Sequence, residues 1–165
     1  IRKTRRFFEH REQFMQELAL EIQSTIKYAE KKGLVPVFRL NGTSDIRWEN
    51  VPVTYKGRHY ANIMDCFPLV QFYDYTKIVG RKVSHLKNYH LTFSNADGNI
   101  NDVLKAKSAG MNIAVVFRKE LPATYLGRKV VNGDETDLRF LDEKNVIVGL
   151  KAKGKAKKDM SGFVV

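Results

Sequence analysis

Two short runs restrict the fold of this chain more than any other feature. Asn112–Phe117 (NIAVVF) is apolar after its first residue, and Val146–Leu150 (VIVGL) has no polar side chain at all. The first of these strands, a continuous apolar run, has no face to turn to water. It must be covered on both sides, as strands are in parallel sheets layered with helices. Four further strands fit beside them: Leu34–Leu40, Leu69–Tyr75, Asn88–Phe93 and Lys129–Val131, each running into polar or charged residues.

Helical periodicity is confined to a few places. In Thr4–Lys32, Phe7, Phe8, Phe14, Met15, Leu18, Ile22, Ile26 and Ala29 recur at three- and four-residue steps. This predicts one long N-terminal helix, with Thr4 as N-cap, Lys31 and Lys32 at the negative end of the dipole, and Gly33 as the stop. A second helix runs from Asn99 or Asn101 to Ala109, and a short one fits within Tyr60–Phe67 before Pro68. Ile46–Tyr60 shows no period and reads as a long loop, and Ile78–Asn88 as a loop or short helix. Strands alternating with helices imply an α/β protein with a mostly parallel sheet. With so few helices, the expectation is an open or partial TIM-barrel-like sheet rather than a complete barrel. Residues 1–150 are expected to form one domain and 151–165 a basic tail, since 165 residues at 43% hydrophobic content suit one core better than two.

Charge narrows the partners. A formal net charge of +11 favours polyanions: nucleic acid, nucleotides or other phosphate-bearing ligands. Cys66 is the only cysteine, so thiolates of this chain build neither a disulfide framework nor an iron–sulfur or zinc site. A lone thiol fits a reducing compartment such as the cytoplasm. No apolar run approaches the ~20 residues of a membrane span, and no signal-peptide core is present. The chain starts with Ile and passes directly into Arg2, Lys3, Arg5 and Arg6. This reads as a solvated basic start and as a sequence trimmed from a longer one.

Candidate site residues come from strand ends, because the carboxyl ends of strands open into the ligand crevice of α/β proteins. The sharpest case is Pro36–Trp48 (PVFRLNGTSDIRW), a strand that breaks into turn formers and supplies Arg39, Asn41 and Asp45. Gln71–Lys77 (QFYDYTK) supplies Asp74 and Lys77, and Tyr89–Ser94 (YHLTFS) supplies His90 and Ser94. In this reading Arg39 and Lys77 hold an anion. Asp45 and Asp74 orient the ligand or a metal, His90 carries a proton, and Asn41 and Ser94 complete the binding surface. Plainer roles compete: Asp74 pairing with Lys77, and His90 as a structural histidine. Asn41-Gly42-Thr43-Ser44 can cradle an anion but lacks the Gly-Lys-Ser/Thr ending of a phosphate loop. Asp134–Asp137 fails calcium-loop spacing. Cys66 reads as core, and Trp48 as a residue that could stack on a base. Lys151, Lys153, Lys155, Lys157 and Lys158 read as a mobile segment with non-specific affinity for nucleic acid.

The phrases FRLNGTSDIRWE, VQFYDYTK, NYHLTFS and GLKAKGKAKKDMSGFVV together resemble an uncharacterised phage and prophage family. They are more distantly similar to the phage gene-eighty-eight product family, with its Arg-x-x-x-Gly/Ser-Asp turn and Phe-Tyr-x-Tyr-Thr-Lys strand. The resemblance implies a partial barrel akin to radical-SAM or iron–sulfur enzymes, with cluster cysteines upstream of the segment matching Ile1. A chain without them is then a fragment of such an enzyme. The remaining alternative is a non-catalytic nucleic-acid-binding module driven by the lysine segment and the first helix.

Overall fold

The architecture is that of a computed structural model, which describes residues 2–165. The side chain of Arg2, one of the four cations of the basic start, lies outside the described residues. The chain forms two compact units, one reaching to Phe72 and including Val83–Tyr89, the other made of Tyr73–Lys82 and His90–Val165.

The first unit opens with α1 (Arg2–Glu9) and α2 (Arg11–Lys32) in place of the single helix expected. The break is at His10, with φ −137° and ψ 54°. Its consequence is visible in an ion pair. Arg6 Nη2 bonds Glu17 Oε2, although eleven residues of straight helix would separate the two by about 16 Å. The bend also brings the Phe7 ring within 5.6 Å of Phe14 and 5.2 Å of Trp48. Thr4 lies inside α1 and does not cap it, while Gly33, left-handed at φ 65°, ends α2 as expected.

β1 is shorter than predicted, Val37–Arg39. A 3₁₀ turn (Trp48–Asn50) follows, and then a hairpin, β2 (Val53–Tyr55) and β3 (Arg58–Tyr60), where a loop was expected. Lys56 and Gly57 both have positive φ, 49° and 74°, the backbone of a tight two-residue hairpin turn. α3 (Ile63–Cys66) is capped by Asn62, whose Oδ1 accepts from Asp65 N at 2.9 Å. Asn88 Nδ2 then gathers the carbonyls of Met64, Phe67 and Val70 at 3.0–3.1 Å.

The second unit is an α/β sheet. Its elements are β4 (Gln71–Thr76), β5 (Tyr89–Ser94), α4 (Ile100–Ser108), β6 (Ile113–Phe117), β7 (Thr124–Tyr125), β8 (Arg128–Asn132) and β9 (Ile147–Lys151). Across the sheet the order is β4-β5-β6-β9-β8-β7. β5–β6, β6–β9 and β9–β8 are parallel, and the β7–β8 hairpin is antiparallel. The two runs without alternation, β6 and β9, are neighbours in its middle, where both faces are covered. α4 packs Val103 and Ala106 on Phe93, Ile113, Val115, Phe117 and Ile147. Each such fully buried side chain contributes about 1.5–3 kcal/mol. The barrel part of the expectation gains no support: β9 lies between β6 and β8, whereas barrel strands follow chain order.

The lysine-rich segment after β9 is folded, not free. Gly154–Lys158 forms a 3₁₀ turn. Val164 then bridges Val116 in parallel, in the slot left open where β5 stops at Ser94. Val165 N donates to Val116 O at 3.0 Å, and Arg118 N to Val165 O at 2.8 Å.

Candidate ligand-binding cleft

The stretch Pro36–Trp48 builds one wall of a half-open cleft inside the first unit. Asn41 fixes its course. It is 2% exposed, and its Oδ1 accepts from Ser44 Oγ at 2.9 Å and from Ile46 N and Trp48 Nε1 at 3.0 Å. Its Nδ2 donates to Ile46 O at 3.0 Å. One amide thus closes a loop that has no ladder of its own. It turns Gly42, Thr43 and Ser44 toward the cleft and holds the Trp48 indole against Phe7 and Phe14.

The cleft is about 400 Å³, the scale of a small-molecule site. Phe7, Phe14, Leu18, Ile22, Phe38 and Trp48 supply its apolar side. Lys3, Arg6, Arg39, Thr43, Ser44, Glu17 and Glu21 supply its polar side. The Arg6 guanidinium lies 5.4 Å from the centroid of the Phe14 ring while bonded to Glu17, so one cation is held rigidly at the mouth. Rings, hydroxyls, cations and two carboxylates thus meet in one cleft.

Of the residues read from the sequence, Arg39 lines this cleft. Asn41 lies beneath it as a positioning residue, and the partly buried Asp45 is not among its lining. Trp48 is 3% exposed, so it is part of a packed wall and not an open stacking platform. Glu17 and Glu21 escaped the sequence reading, and Lys3 and Arg6 were read only as part of a solvated basic start, because only the bend at His10 brings α1 over α2.

Asp74, Lys77, His90 and Ser94 belong to the second unit. There, strand alternation divides them. Tyr73 meets the Phe140 ring at 5.6 Å and reaches Asp137 at 3.4 Å, so Asp74, fully buried, projects to the opposite face. Phe93 faces α4, which turns His90, Thr92 and Ser94 the other way, toward Arg139. Asp74 and His90 therefore do not share a face. Ser94 does stand at the carboxyl end of β5, where its carbonyl accepts from Asn99 Nδ2 at 3.0 Å.

Around Arg139 the second unit buries charge. Its side chain is fully buried, donates to Thr136 O and has Nε 3.4 Å from Asp142 Oδ2. Burial raises the Asp142 carboxyl above its ordinary range, while the guanidinium pulls it down. His90 is shifted below its ordinary 6.5, first by burial and then by the Arg139 charge. As pH falls, the unfolded chain therefore takes up that proton before the folded one. Stability is expected to decline as pH drops through 6.5, and His90→Gln to flatten that part of a urea-melt series.

Cys66 is the sole thiol, and burial pushes it up to about 11. At pH 8 its alkylation is expected to be roughly a hundredfold slower than that of a free cysteine, measurable with iodoacetamide. Among the described residues no three His, Cys, Asp or Glu side chains are grouped to hold a metal ion, and no helix is long and apolar enough to cross a membrane.

These features define an α/β protein with a mostly parallel sheet and, in its first unit, a cleft of rings and cations. The chain belongs to the gene product 88 family, a phage gene-product family whose model matches residues 1–165. No curated protein and no solved structure matches the chain.

Proposed function

We propose that the cleft of the first unit binds a phosphate-bearing ligand with an aromatic ring, a nucleotide. The carrying observation is the meeting, in one cavity of about 400 Å³, of Arg39, Thr43 and Ser44 from the end of β1 with the Phe7, Phe14 and Trp48 wall. A guanidinium offers paired N–H donors to phosphate oxygens, and hydroxyls and turn amides add to them. A base gains apolar contact with the partly exposed Phe14 and Phe38 rings at the lining of the cleft. Neither half of the cleft suits a purely apolar or purely charged ligand.

Titration of Trp48 fluorescence with mononucleotides, nucleosides and inorganic phosphate tests this reading. Nucleotides are expected to bind more tightly than either fragment. Arg39→Ala is expected to weaken nucleotide binding at least tenfold while leaving nucleoside binding little changed. Absence of any nucleotide response, or an equal loss for nucleoside and nucleotide, overturns the proposal.

A further inference from the structure

We infer that the folded lysine segment of the second unit is a docking surface for the phosphate backbone of duplex nucleic acid, with Arg118 as its positioning residue. The inference stands apart from the cleft and uses none of its residues. The segment is anchored at both ends, by β9 and by the Val164 bridge to β6. Its middle is anchored by Arg118, whose Nη1 donates to Lys157 O at 3.0 Å and Nη2 to Asp159 O at 2.6 Å. This guanidinium is occupied by backbone carbonyls, and its role is to hold the 3₁₀ turn in shape.

Two nearby carboxylates are engaged within the second unit. Asp134 accepts from Lys151 N at 2.9 Å and Lys153 Nζ at 2.8 Å, which holds its carboxyl below the usual range. Asp159 accepts from Ser161 N and Oγ at 2.9–3.1 Å. Lys155, Lys157 and Lys158 are exposed, as are Lys119 and Lys151 beside them, and no ion pair engages these five among the described residues. Ordering such a run against its own repulsion concentrates exposed cations on one folded segment, which complements the charge of a phosphate backbone. Residues 151–161 (KAKGKAKKDMS) contain no aromatic side chain, so the surface has nothing on which unpaired bases could stack. Duplex is therefore the occupant, in preference to a single strand.

The test uses the full chain and a labelled random-sequence 24-base-pair DNA, with affinity measured across a salt series. The triple variant Lys155→Gln, Lys157→Gln, Lys158→Gln is expected to weaken duplex binding at least tenfold at low salt and to reduce the log–log salt slope by about 2–3. Arg118→Lys conserves charge but cannot reach both carbonyls. It is expected to weaken binding severalfold with the slope nearly unchanged. A triple variant with the wild-type slope overturns the surface. Undiminished affinity in Arg118→Lys overturns the positioning role. Equal affinity for single-stranded DNA, or for polyglutamate of matched charge, overturns the duplex assignment.

Discussion

Replacing Asn41 with alanine is expected to lower the unfolding free energy by about 3 kcal/mol. Four hydrogen bonds end on this one side chain, and it is 2% exposed. Alanine removes the acceptor of the Ser44 hydroxyl, the Ile46 amide and the Trp48 indole N–H, while the Ile46 carbonyl keeps the Trp48 backbone N–H at 3.0 Å. A buried orphaned group costs roughly 1–3 kcal/mol, and the outer part of the loop recovers some of that sum from water. Trp48 is the only tryptophan, so its emission reports both the urea transition and the loss of the indole bond in the native state. Asn41→Asp keeps an acceptor for all three donors and loses only the donor to Ile46 O, so it should damage the loop less. A melt of Asn41→Ala matching wild type would show that the loop is held by something other than this amide. Because the same loop shapes the cleft, nucleotide affinity is expected to fall in parallel.

Gly133→Ala is expected to cost about as much for an unrelated reason, roughly 3 kcal/mol. A Cβ there would stand 2.5 Å from Val148 Cγ1, 2.7 Å from Arg139 Nη1 and 3.0 Å from Leu150 Cδ2. Val148 belongs to the central strand β9 and cannot retreat. Arg139 is fully buried, so moving its guanidinium also disturbs the contact with Asp142. Overpacking alone costs about 1–3 kcal/mol, and disturbing a buried charge pair adds to it. Gly127→Ala is the contrasting control. That glycine has φ 72° and open space around its Cβ direction, so only backbone strain opposes the change, about 1 kcal/mol. A Gly133→Ala protein no less stable than Gly127→Ala would mean that the sheet relaxes around the added methyl.

How much of this was legible in the sequence follows from what each signal depends on. Asn112–Phe117 was readable as a doubly covered strand because burial on both faces leaves no alternation, and Val146–Leu150 was readable as a strand. Their adjacency, with β9 set between β6 and β8, was not readable, because strand order is decided by long-range pairing. The helix break at His10 left no trace in the spacing, since Phe7 and Phe14 stand two turns apart and continue the stripe across it. The β2–β3 hairpin was hidden by three-residue arms and a Lys-Gly turn, weaker as a signal than Asn-Gly.

The site divides along the same line. Arg39 was read as an anion holder at a strand end, and it lines the cleft. Asn41 was read as part of the binding surface, and its buried side chain holds the loop together. Arg6 and Glu17 could not be read, because their encounter exists only after the bend. The strand-end rule also gathered Asp74 and His90 into one set. Residue parity, fixed by what Tyr73 and Phe93 touch, sends them to opposite faces.

The bridge between Val164 and Val116 has a bearing on the integrity of the molecule. With the terminal residues seated there, the flank of β6 beyond Ser94 has its hydrogen-bonding groups occupied. A protease nick in the preceding turn would unseat them and bare a short sticky margin in the heart of the sheet. Such a margin invites the same strip from another molecule to pair in its place. Val164 and Val165 thus cover that flank of β6 against pairing with a foreign strand.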